Sequence, residues 1–466
     1  MQQLGLERLQ AINDRGQCRP IFPGRTIFGR GANLSDVMRE DYLGISDEIR
    51  GQHIGVMGTT GAGKTRLMEY LVEQDIRKGH SVVLLDPKGD IAMFSKFIQV
   101  AAESGRLDDV MFLTPIFPDL SVMLDPLANY YMEDELVSHV TSGVDPKDPY
   151  YLNIAREVSQ YVIAGLVQIA KAQGEVARLT FMDVQRRIGF DELKGLRDSL
   201  QMVAGTEEIV EGIGRMVHAP NLQEFYSKVS SSLRTVLSSL TFGSTGQIIG
   251  KASTNEFIDR VHSGRPVLTY VNTGSVLTQK TGHIIGKVFM SMVQSQMGRF
   301  FASGKKFSPP LCLYIDEGDL VLYPGIENLF NKGRAGDVWI TFMTQSMAQM
   351  DAAVGEKMSR SLVDNVNTWA YFRVNHSETA EHIQATSPEI QKHDAVWPLG
   401  ASSITMRTVS RPRIEASRIL KLEDRWFYFR SFGHYGKGRT LDVEPAYVKI
   451  KFPEMDTVGI RPVSPA

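Results

Sequence analysis

The sequence predicts an α/β fold built on a mainly parallel sheet, with an all-α domain inserted into it. Short apolar segments alternate with helical patterns from residue 54 onward. Alternation at this spacing is typical of parallel strands whose faces are covered by helices. A glycine-rich loop joins the first of these strands to the first helix. From about residue 130 to 245 the pattern becomes helical and charged, with few strand signals.

The composition is that of a soluble globular protein. The chain has 466 residues, of which 42% are hydrophobic and 22% charged. That length suits more than one domain, or one core domain with a large insertion. The 51 basic and 53 acidic residues give a formal net charge of −2, so the chain as a whole carries no charge signal for nucleic acid.

Cysteine content and hydropathy predict a reducing, cytoplasmic setting. The two cysteines, Cys18 and Cys312, do not make a disulfide framework or a cysteine-based metal site. We find no apolar run of the roughly 18 residues that a membrane-spanning helix needs. The polar, charged amino terminus does not resemble a signal peptide.

Residues 1–50 are predicted to form an irregular lead-in, with a helix near Leu4–Ile12 and a stretch containing glycine and proline. A run of βα units then begins the α/β domain, within residues 51–129. We expect three strands there, at Ile54–Met57, Ser81–Asp86 and Val110–Leu113. Two helices separate them, at Lys64–Lys78 and Ile91–Glu103.

The predicted all-α domain occupies residues 130–245, and the α/β domain resumes over residues 246–466. Four further strands are expected, at Pro266–Val271, Leu311–Asp316, Trp339–Met343 and Thr368–Arg373. A long helix is expected at Thr281–Phe301, and the chain is predicted to be rich in strands from Ser402 onward.

The glycine-rich loop matches the phosphate-binding pattern G-x-x-x-x-G-K-[ST]. Glycines allow backbone N–H groups to converge on phosphates without a clash, and the helix that follows adds its amino-terminal dipole. A chance glycine-rich turn is the alternative, but an apolar strand precedes the loop and a helix follows it. The residues expected to bind nucleotide are Gly58, Thr59, Thr60, Gly61, Ala62, Gly63, Lys64, Thr65 and Arg66. Lys64 is expected to contact the β- and γ-phosphates, and Thr65 to bind Mg²⁺.

An apolar strand that ends in two carboxylates is the second expected signature of a P-loop ATPase. Asp316 is expected to hold Mg²⁺ through water, and Glu317 to act as the general base for the attacking water. Without the phosphate-binding loop, the same two residues would often be a solvated strand end. The adjacent acidic residue favours an ATPase over a small GTPase or a nucleotide kinase.

Two more polar residues are candidates for catalysis. Gln345 follows a predicted strand and is expected to sense the γ-phosphate or place the water, with a strand-end cap as the alternative. Arg334 lies on the loop before that strand. It is a candidate arginine finger for a neighbouring subunit's nucleotide, and an ordinary solvated arginine is an equally good interpretation of the chemistry alone.

The segment Asp86-Pro87-Lys88-Gly89-Asp90 ends another strand, where ligands of open α/β sheets bind. Lys88 is a candidate contact for phosphate or for the DNA backbone, and Asp86 a candidate for ordering the site. A proline–glycine turn with solvated charges is the simpler alternative.

Together these segments resemble the type IV coupling proteins of conjugation and type IV secretion, the TraD/TraG family. The resemblance covers most of residues 50–375, and it looks closest to the TraD branch of integrative conjugative elements. It rests on the phosphate-binding loop with the helix after it, Asp86–Asp90, Asp316-Glu317 followed by Arg334 and Gln345, and Asp364-Asn365-Val366-Asn367.

The resemblance implies a RecA-like motor that forms a homo-hexameric ring, binds ATP and Mg²⁺, and hydrolyses ATP when stimulated by DNA. It implies that Arg334 acts on a neighbouring subunit and that Gln345 is the sensor. The implied partners are single-stranded DNA, a relaxase or relaxosome, and components of the type IV secretion channel. The implied location is the cytoplasmic face of the bacterial inner membrane.

Most family members carry transmembrane helices before the nucleotide domain, whereas here the phosphate-binding loop begins at residue 58. The chain is therefore expected to be a truncated or a membrane-free member. Two other functions stay open: another hexameric DNA pump of the FtsK/HerA or secretion-channel kind, and a substrate-receptor platform whose nucleotide site is mainly structural. The sequence also leaves open whether the substrate is DNA, protein or both.

Overall fold

A computed structural model describes residues 21–144, 149–217, 222–396, 405–442 and 445–453. The predicted helix near Leu4–Ile12 and Cys18 lie outside the described residues. The strands are β1 Arg25–Asn33, β2 Asp36–Ser46, β3 Ile54–Met57, β4 Ser81–Asp86, β5 Val110–Leu113, β6 Leu268–Asn272, β7 Leu311–Ile315, β8 Val338–Thr344, β9 Thr368–Tyr371, β10 Glu389–Val396, β11 Thr405–Pro412, β12 Trp426–Ser431 and β13 His434–Thr440.

Helices cover both faces of the sheet. They are α1 Lys64–Arg77, α2 Ile91–Glu103, α3 Glu133–Ser142, α4 Pro149–Ala172, α5 Phe181–Gln185, α6 Phe190–Leu200, α7 Glu207–Val217, α8 Leu222–Val229, α9 Ser231–Thr241, α10 Gly243–Thr245, α11 Glu256–His262, α12 Gln279–Ala302, α13 Glu327–Lys332, α14 Met347–Val354, α15 Glu356–Asp364, α16 Ser377–Ala385 and α17 Ala416–Ile419. The α/β class predicted from the alternating pattern is confirmed.

The main sheet has eleven strands in the order β2-β1-β13-β12-β9-β3-β8-β7-β4-β6-β5. Neighbours from β9 to β5 run parallel, and those from β2 to β9 run antiparallel. Strands β10 and β11 form a separate antiparallel pair. Because the parallel strands share one direction, the loops after β3, β4, β7 and β8 all emerge at the same edge.

The prediction of an irregular lead-in is wrong for residues 25–46. Strands β1 and β2 form an antiparallel hairpin there, and β1 also pairs with β13. The side chains of Ile27 and Phe28 are fully buried, while a Cβ on Gly29 would lie 2.1 Å from the backbone oxygen of Arg439. Two closely approaching backbones need glycine, so the strand has an unfavourable local composition and depends on a partner about 400 residues away.

Between Glu133 and Thr245 the described residues form helices and no strand. Their apolar side chains belong to the same buried cluster as those of α12 and of one sheet face, including Leu136, Leu240 and Phe289. A second cluster joins α1 and α2 to the other sheet face. The limits of the all-α domain at 130 and 245 stay a prediction, since its core is continuous with that of the α/β part of the chain. No described helix combines the length and apolarity needed to cross a bilayer.

Candidate functional site

The phosphate-binding loop runs from the end of β3 into α1. Gly61 and Gly63 have φ angles of 78° and 112°, a region that favours glycine, and Gly63 caps the amino end of α1. A Cβ on Gly63 would lie 3.0 Å from the Cα of Arg425, so the position is closed to larger residues on steric grounds as well. The loop therefore presents backbone N–H groups at a helix amino terminus, an arrangement that binds anions.

Lys64 lies within this loop. Its Nζ donates hydrogen bonds to the backbone oxygens of Gly58 at 2.6 Å and Thr59 at 3.1 Å. Burial lowers the pKa of Lys64, and the neighbouring carboxylate of Asp316 opposes that shift. These two hydrogen bonds hold the ammonium group beside the loop, where a bound phosphate would lie.

Asp316 and Glu317 follow β7 at the same edge of the sheet. The Asp316 N–H donates to the oxygen of Leu85 on β4, and the Asp316 Oδ1 accepts from the Glu317 N–H at 3.0 Å. Burial raises the pKa of Asp316, and the charge of Asp86 adds to the shift. A divalent cation beside Asp316 would offset this penalty, as expected of a Mg²⁺ ligand whose partner is the Thr65 hydroxyl.

Glu317 has a left-handed backbone conformation, with φ of 47°. Left-handed backbone is uncommon for residues other than glycine, and it clusters at functional sites. The Glu317 Oε1 lies 2.6 Å from the Lys88 Nζ. The candidate general base is therefore held by an ion pair with Lys88, a contact that the sequence did not predict.

The Asp86–Asp90 turn owes its shape to Asp86. This buried carboxylate accepts hydrogen bonds from the backbone N–H groups of Lys88, Gly89 and Asp90, and from the hydroxyl of Tyr270. Asp86 is thus a structural residue of the turn, and the turn places Lys88 beside Glu317. The predicted roles of Lys88, as a contact for phosphate or for the DNA backbone, and of Asp86, in ordering the site, stay predictions. The geometry adds the ion pair between Lys88 and Glu317.

These residues surround a cleft of about 240 Å³. Its lining is Thr60, Gly61, Gly63, Lys64, Thr65, Arg66, Lys88, Asp316, Glu317, Met343, Thr344 and Gln345. The structure therefore brings together the loop, the two carboxylates and Gln345. Gly58, Thr59 and Ala62, which were also predicted to bind nucleotide, belong to the loop but do not line this cleft.

Contacts from the carboxyl-terminal part of the chain also support the loop. The Thr59 N–H donates to the Arg373 oxygen at 2.8 Å, and the Asn375 Nδ2 donates to the Thr59 Oγ1 at 3.0 Å. The Arg425 N–H donates to the Ala62 oxygen at 2.8 Å. Sequence reasoning missed these residues because no motif marks them and more than 300 residues separate them from the loop.

Arg334 lies away from the cleft. It is exposed on a short 3₁₀ turn before β8, at the amino end of the parallel strands. The seven residues of β8 separate it from Gln345, a distance of roughly 20 Å. Arg334 is therefore placed at the opposite edge of the sheet from the cleft of its own chain.

A second group of metal-ligand types, Asp75, His80 and Cys312, has ligand atoms within 4.8 Å of one another. The Asp75 Oδ2, however, lies 3.0 Å from the guanidinium of Arg50, and both side chains are fully buried. A buried guanidinium beside the ligands opposes a second cation. This group is a structural ion-pair network, and Asp316 with Thr65 remains the candidate Mg²⁺ site.

Comparison with known proteins agrees with the fold and the motifs. The bacterial conjugative coupling protein TrwBdeltaN70 superposes with a TM-score of 0.65 at 16% identity, over 95% of this chain and 93% of that one. TrwB in complex with ADP and Mg²⁺ gives 0.62 at 17% identity, over 93% and 98%. VirB4 of Thermoanaerobacter pseudethanolicus gives 0.55 at 11% identity, over 91% and 99%.

A curated relative, the type 4 coupling protein DotL of Legionella pneumophila, is 28% identical over 93 residues. That match spans 20% of this chain and only 11% of DotL. The family model described as the type IV secretion-system coupling protein DNA-binding domain matches residues 42–424, well over half of the chain. The chain therefore belongs to the family of type IV secretion-system coupling proteins.

Proposed function

We propose that this chain is an ATP-driven motor that recruits single-stranded DNA with its relaxase and moves it to a type IV secretion channel. The observation that carries the proposal is the cleft, where Lys64 and Thr65 face Asp316 and Glu317. A phosphate loop alone binds nucleotide. A carboxylate pair at the same cleft adds a metal ligand and a general base, so the site has the parts of a hydrolase.

Each residue has one task in the proposed hydrolysis. Lys64 and the loop N–H groups bind the β- and γ-phosphates, and Glu317 accepts a proton from the attacking water. Gln345 orients that water or contacts the γ-phosphate. Thr65 and Asp316 would hold Mg²⁺, which when bound would neutralise charge on the phosphates. TrwB, which shares this fold, has been solved in complex with ADP and Mg²⁺, and this supports ATP and Mg²⁺ as the groups that the cleft would bind.

The ring is the second part of the proposal. Arg334 is roughly 20 Å from the cleft of its own chain, so it serves catalysis only if it acts on a neighbour's nucleotide. A head-to-tail arrangement of this kind closes into a ring when the rotation permits. We infer a homo-hexamer at the cytoplasmic face of the inner membrane, where the secretion channel opens.

The test of hydrolysis is Glu317→Gln, which keeps the size of the side chain and removes the base. Turnover should fall by about 10²- to 10⁴-fold, while binding of a fluorescent ATP analogue persists. Glu356→Gln, on an exposed helix face, is the matched control and should retain turnover. Normal transfer in cells carrying Glu317→Gln would contradict the motor and favour a receptor platform with a structural nucleotide site.

Substrate and partner need separate measurements. The ATPase rate with and without single-stranded DNA, taken together with the mass of the assembly, tests the DNA motor and the ring. Co-purification of the relaxase from the same genetic element tests the coupling role. DNA stimulation without relaxase binding would instead favour a DNA pump of the FtsK/HerA kind, and relaxase binding without DNA stimulation would favour protein as the substrate.

A further inference from the structure

A second groove, of about 380 Å³, opens between α9 and α12. We propose that it binds the phosphodiester backbone of single-stranded DNA, an inference that rests on the proposed DNA motor. Its polar lining comes mainly from one face of α12 and the facing side of α9: Lys280, His283, Lys287, Ser231, Ser232 and Thr235. None of these residues belongs to the nucleotide cleft.

The charge of the groove suits a phosphate chain. Lys280, His283 and Lys287 are spaced three and four residues apart, so they share one face of α12. Lys280 is exposed, and the other two side chains are half-buried. Lys280 and Lys287 lie seven residues apart, roughly 10 Å along the helix axis, so they suit two phosphates of a chain better than the single charge of a small ligand. One acidic residue, Asp319, also lines the groove at the side of the nucleotide cleft.

An exposed apolar tip stands next to this basic face. Val276 and Leu277 are 73% and 63% exposed on the loop between β6 and α12, four and three residues before Lys280. Apolar side chains of this kind contact base faces when a nucleic acid lies across them. Backbone contacts from the lysines and base contacts from the tip give binding with little sequence preference.

The tip is attached to the catalytic turn. Both the N–H and the Oγ of Ser275 donate to the oxygen of Pro87, at 3.0 and 2.6 Å. Pro87 precedes Lys88, whose ammonium pairs with Glu317. A strand that displaces the loop therefore pulls on the turn that holds the general base.

The groove and the nucleotide cleft also share a wall. The 3₁₀ turn Gly318–Val321, directly after Glu317, contributes Asp319 and Leu320 to the groove. The charge of Glu317 acts on His283, whose pKa is lowered mainly by burial and by Lys287. DNA in the groove is thus one short turn from the catalytic carboxylate, which gives DNA-stimulated hydrolysis a physical route.

The experiment measures the binding of fluorescein-labelled oligo(dT) by anisotropy over a salt series, with a non-hydrolysable ATP analogue present. The double variant Lys280→Ala/Lys287→Ala should bind at least about 10-fold more weakly at low salt. Its slope of log affinity against log salt should be smaller by about 1.4, since each phosphate contact on a single strand contributes about 0.7. Lys305→Ala, beyond the other end of α12, is the control and should match the wild type.

Changing the apolar tip should affect the affinity for oligo(dT) without affecting its salt dependence. Val276→Ser/Leu277→Ser should weaken binding and leave the salt slope unchanged, because it removes no phosphate contact. A measurement on the unaltered chain guards against variants that fail to fold: oligonucleotides carrying 4-thiothymidine should crosslink to residues 274–287. Crosslinks found only elsewhere would overturn the assignment.

The outcomes separate this inference from the proposed function. If the wild type does not bind oligo(dT), the DNA motor fails and the groove with it. If the wild type binds, and the double lysine variant has the same affinity and the same salt slope, the groove is excluded while the DNA motor stands.

Discussion

Two close ion pairs flank the parallel sheet, and they differ in burial. Arg50, just before β3, pairs with Asp75 in the last turn of α1 at 3.0 Å, and both side chains are 0% exposed. Lys88 and Glu317, beyond the other ends of the strands, pair at 2.6 Å with exposures of 48% and 18%. The Arg50–Asp75 ion pair is therefore excluded from water, whereas the Lys88–Glu317 ion pair is accessible to it.

The two ion pairs also differ in the hydrogen bonds that surround them. Arg50 also donates to the hydroxyls of Tyr314 and Thr341, and the Tyr314 hydroxyl donates to Asp75. Burial opposes ionisation of Asp75, yet Arg50 holds its pKa well below the usual range. These buried hydrogen bonds hold the Arg50 guanidinium in one arrangement. Lys88 and Glu317 have water as an alternative partner, so their pair can be exchanged during the proposed catalytic cycle.

The comparison implies that buried charged residues at the amino ends of the parallel strands, such as Arg50, stabilise the fold of a single chain. Arg334 lies on that side but is exposed, so its proposed role needs a neighbour. Arg334→Ala should lower turnover of the assembled ring by about 10³-fold or more, the usual contribution of an arginine finger. Steady-state ATPase assays on the assembled protein measure this.

Mixed rings identify where Arg334 acts. Arg334→Ala and Lys64→Ala chains are each expected to have little activity alone, and mixing them creates interfaces with one intact arginine and one intact lysine. Recovery of activity is expected. Lys332→Ala, a neighbouring exposed cation, is the control and should retain turnover; full activity of Arg334→Ala would remove Arg334 from the mechanism.

Breaking the buried pair should produce the largest loss of stability. Arg50→Met leaves Asp75 buried without its cation, and the free energy of unfolding should fall by about 3–5 kcal/mol. Denaturant unfolding measures the change. Arg360→Met breaks an exposed helical pair with Glu356 and should cost less than about 1 kcal/mol. Equal losses of unfolding free energy in the two variants would mean that burial does not set the cost of breaking an ion pair in this protein.

Breaking the open pair should affect kinetics instead. Lys88→Met frees the Glu317 carboxylate and removes a cation from the cleft, so kcat without DNA should rise several-fold and KM for ATP should rise about 10-fold. The stability change should stay below about 1 kcal/mol. Lys88→Arg preserves the pair and should behave like the wild type. Unchanged kcat and KM in Lys88→Met would show that the pair does not control the site.

The smallest effect concerns pH. Burial lowers the pKa of His53 to about 4, and the ring accepts a hydrogen bond from the Ile340 N–H while contacting the Phe330 oxygen. Between about pH 6.5 and 4 the unfolded chain binds a proton that the folded chain does not. Stability should therefore fall with decreasing pH in this window, by up to about 1.4 kcal/mol per pH unit from this group.

His53→Gln should reduce that pH slope, because the amide does not titrate. Denaturant unfolding at pH 4.5, 5.5 and 7 measures the slope for each chain. His434→Gln, at an exposed position, is the control and should keep the slope of the wild type. An identical slope in His53→Gln would mean that His53 is protonated in the folded state.

Local patterns gave much of the fold in advance. The bounds expected for β3, β4, β5 and α2 are those observed, because their apolar runs are bounded by turn residues and buried on both faces or one. Strand β1 was missed, since its glycines weaken the local signal and β13 supplies its stability. Likewise, a residue such as Asn375 acquires its role only through the chain that folds back onto Thr59.

The sequence by itself determined the chemical parts: a loop for phosphate, a lysine, a hydroxyl and two carboxylates, all at the carboxyl ends of parallel strands. Parallel strands bring such ends together, so their spacing along the chain sufficed. The tertiary structure decided the pairings. That Lys88 holds Glu317, that Ser275 holds the turn carrying Lys88, and that Arg334 lies beyond the opposite edge all depend on how distant segments pack, which local propensity does not encode.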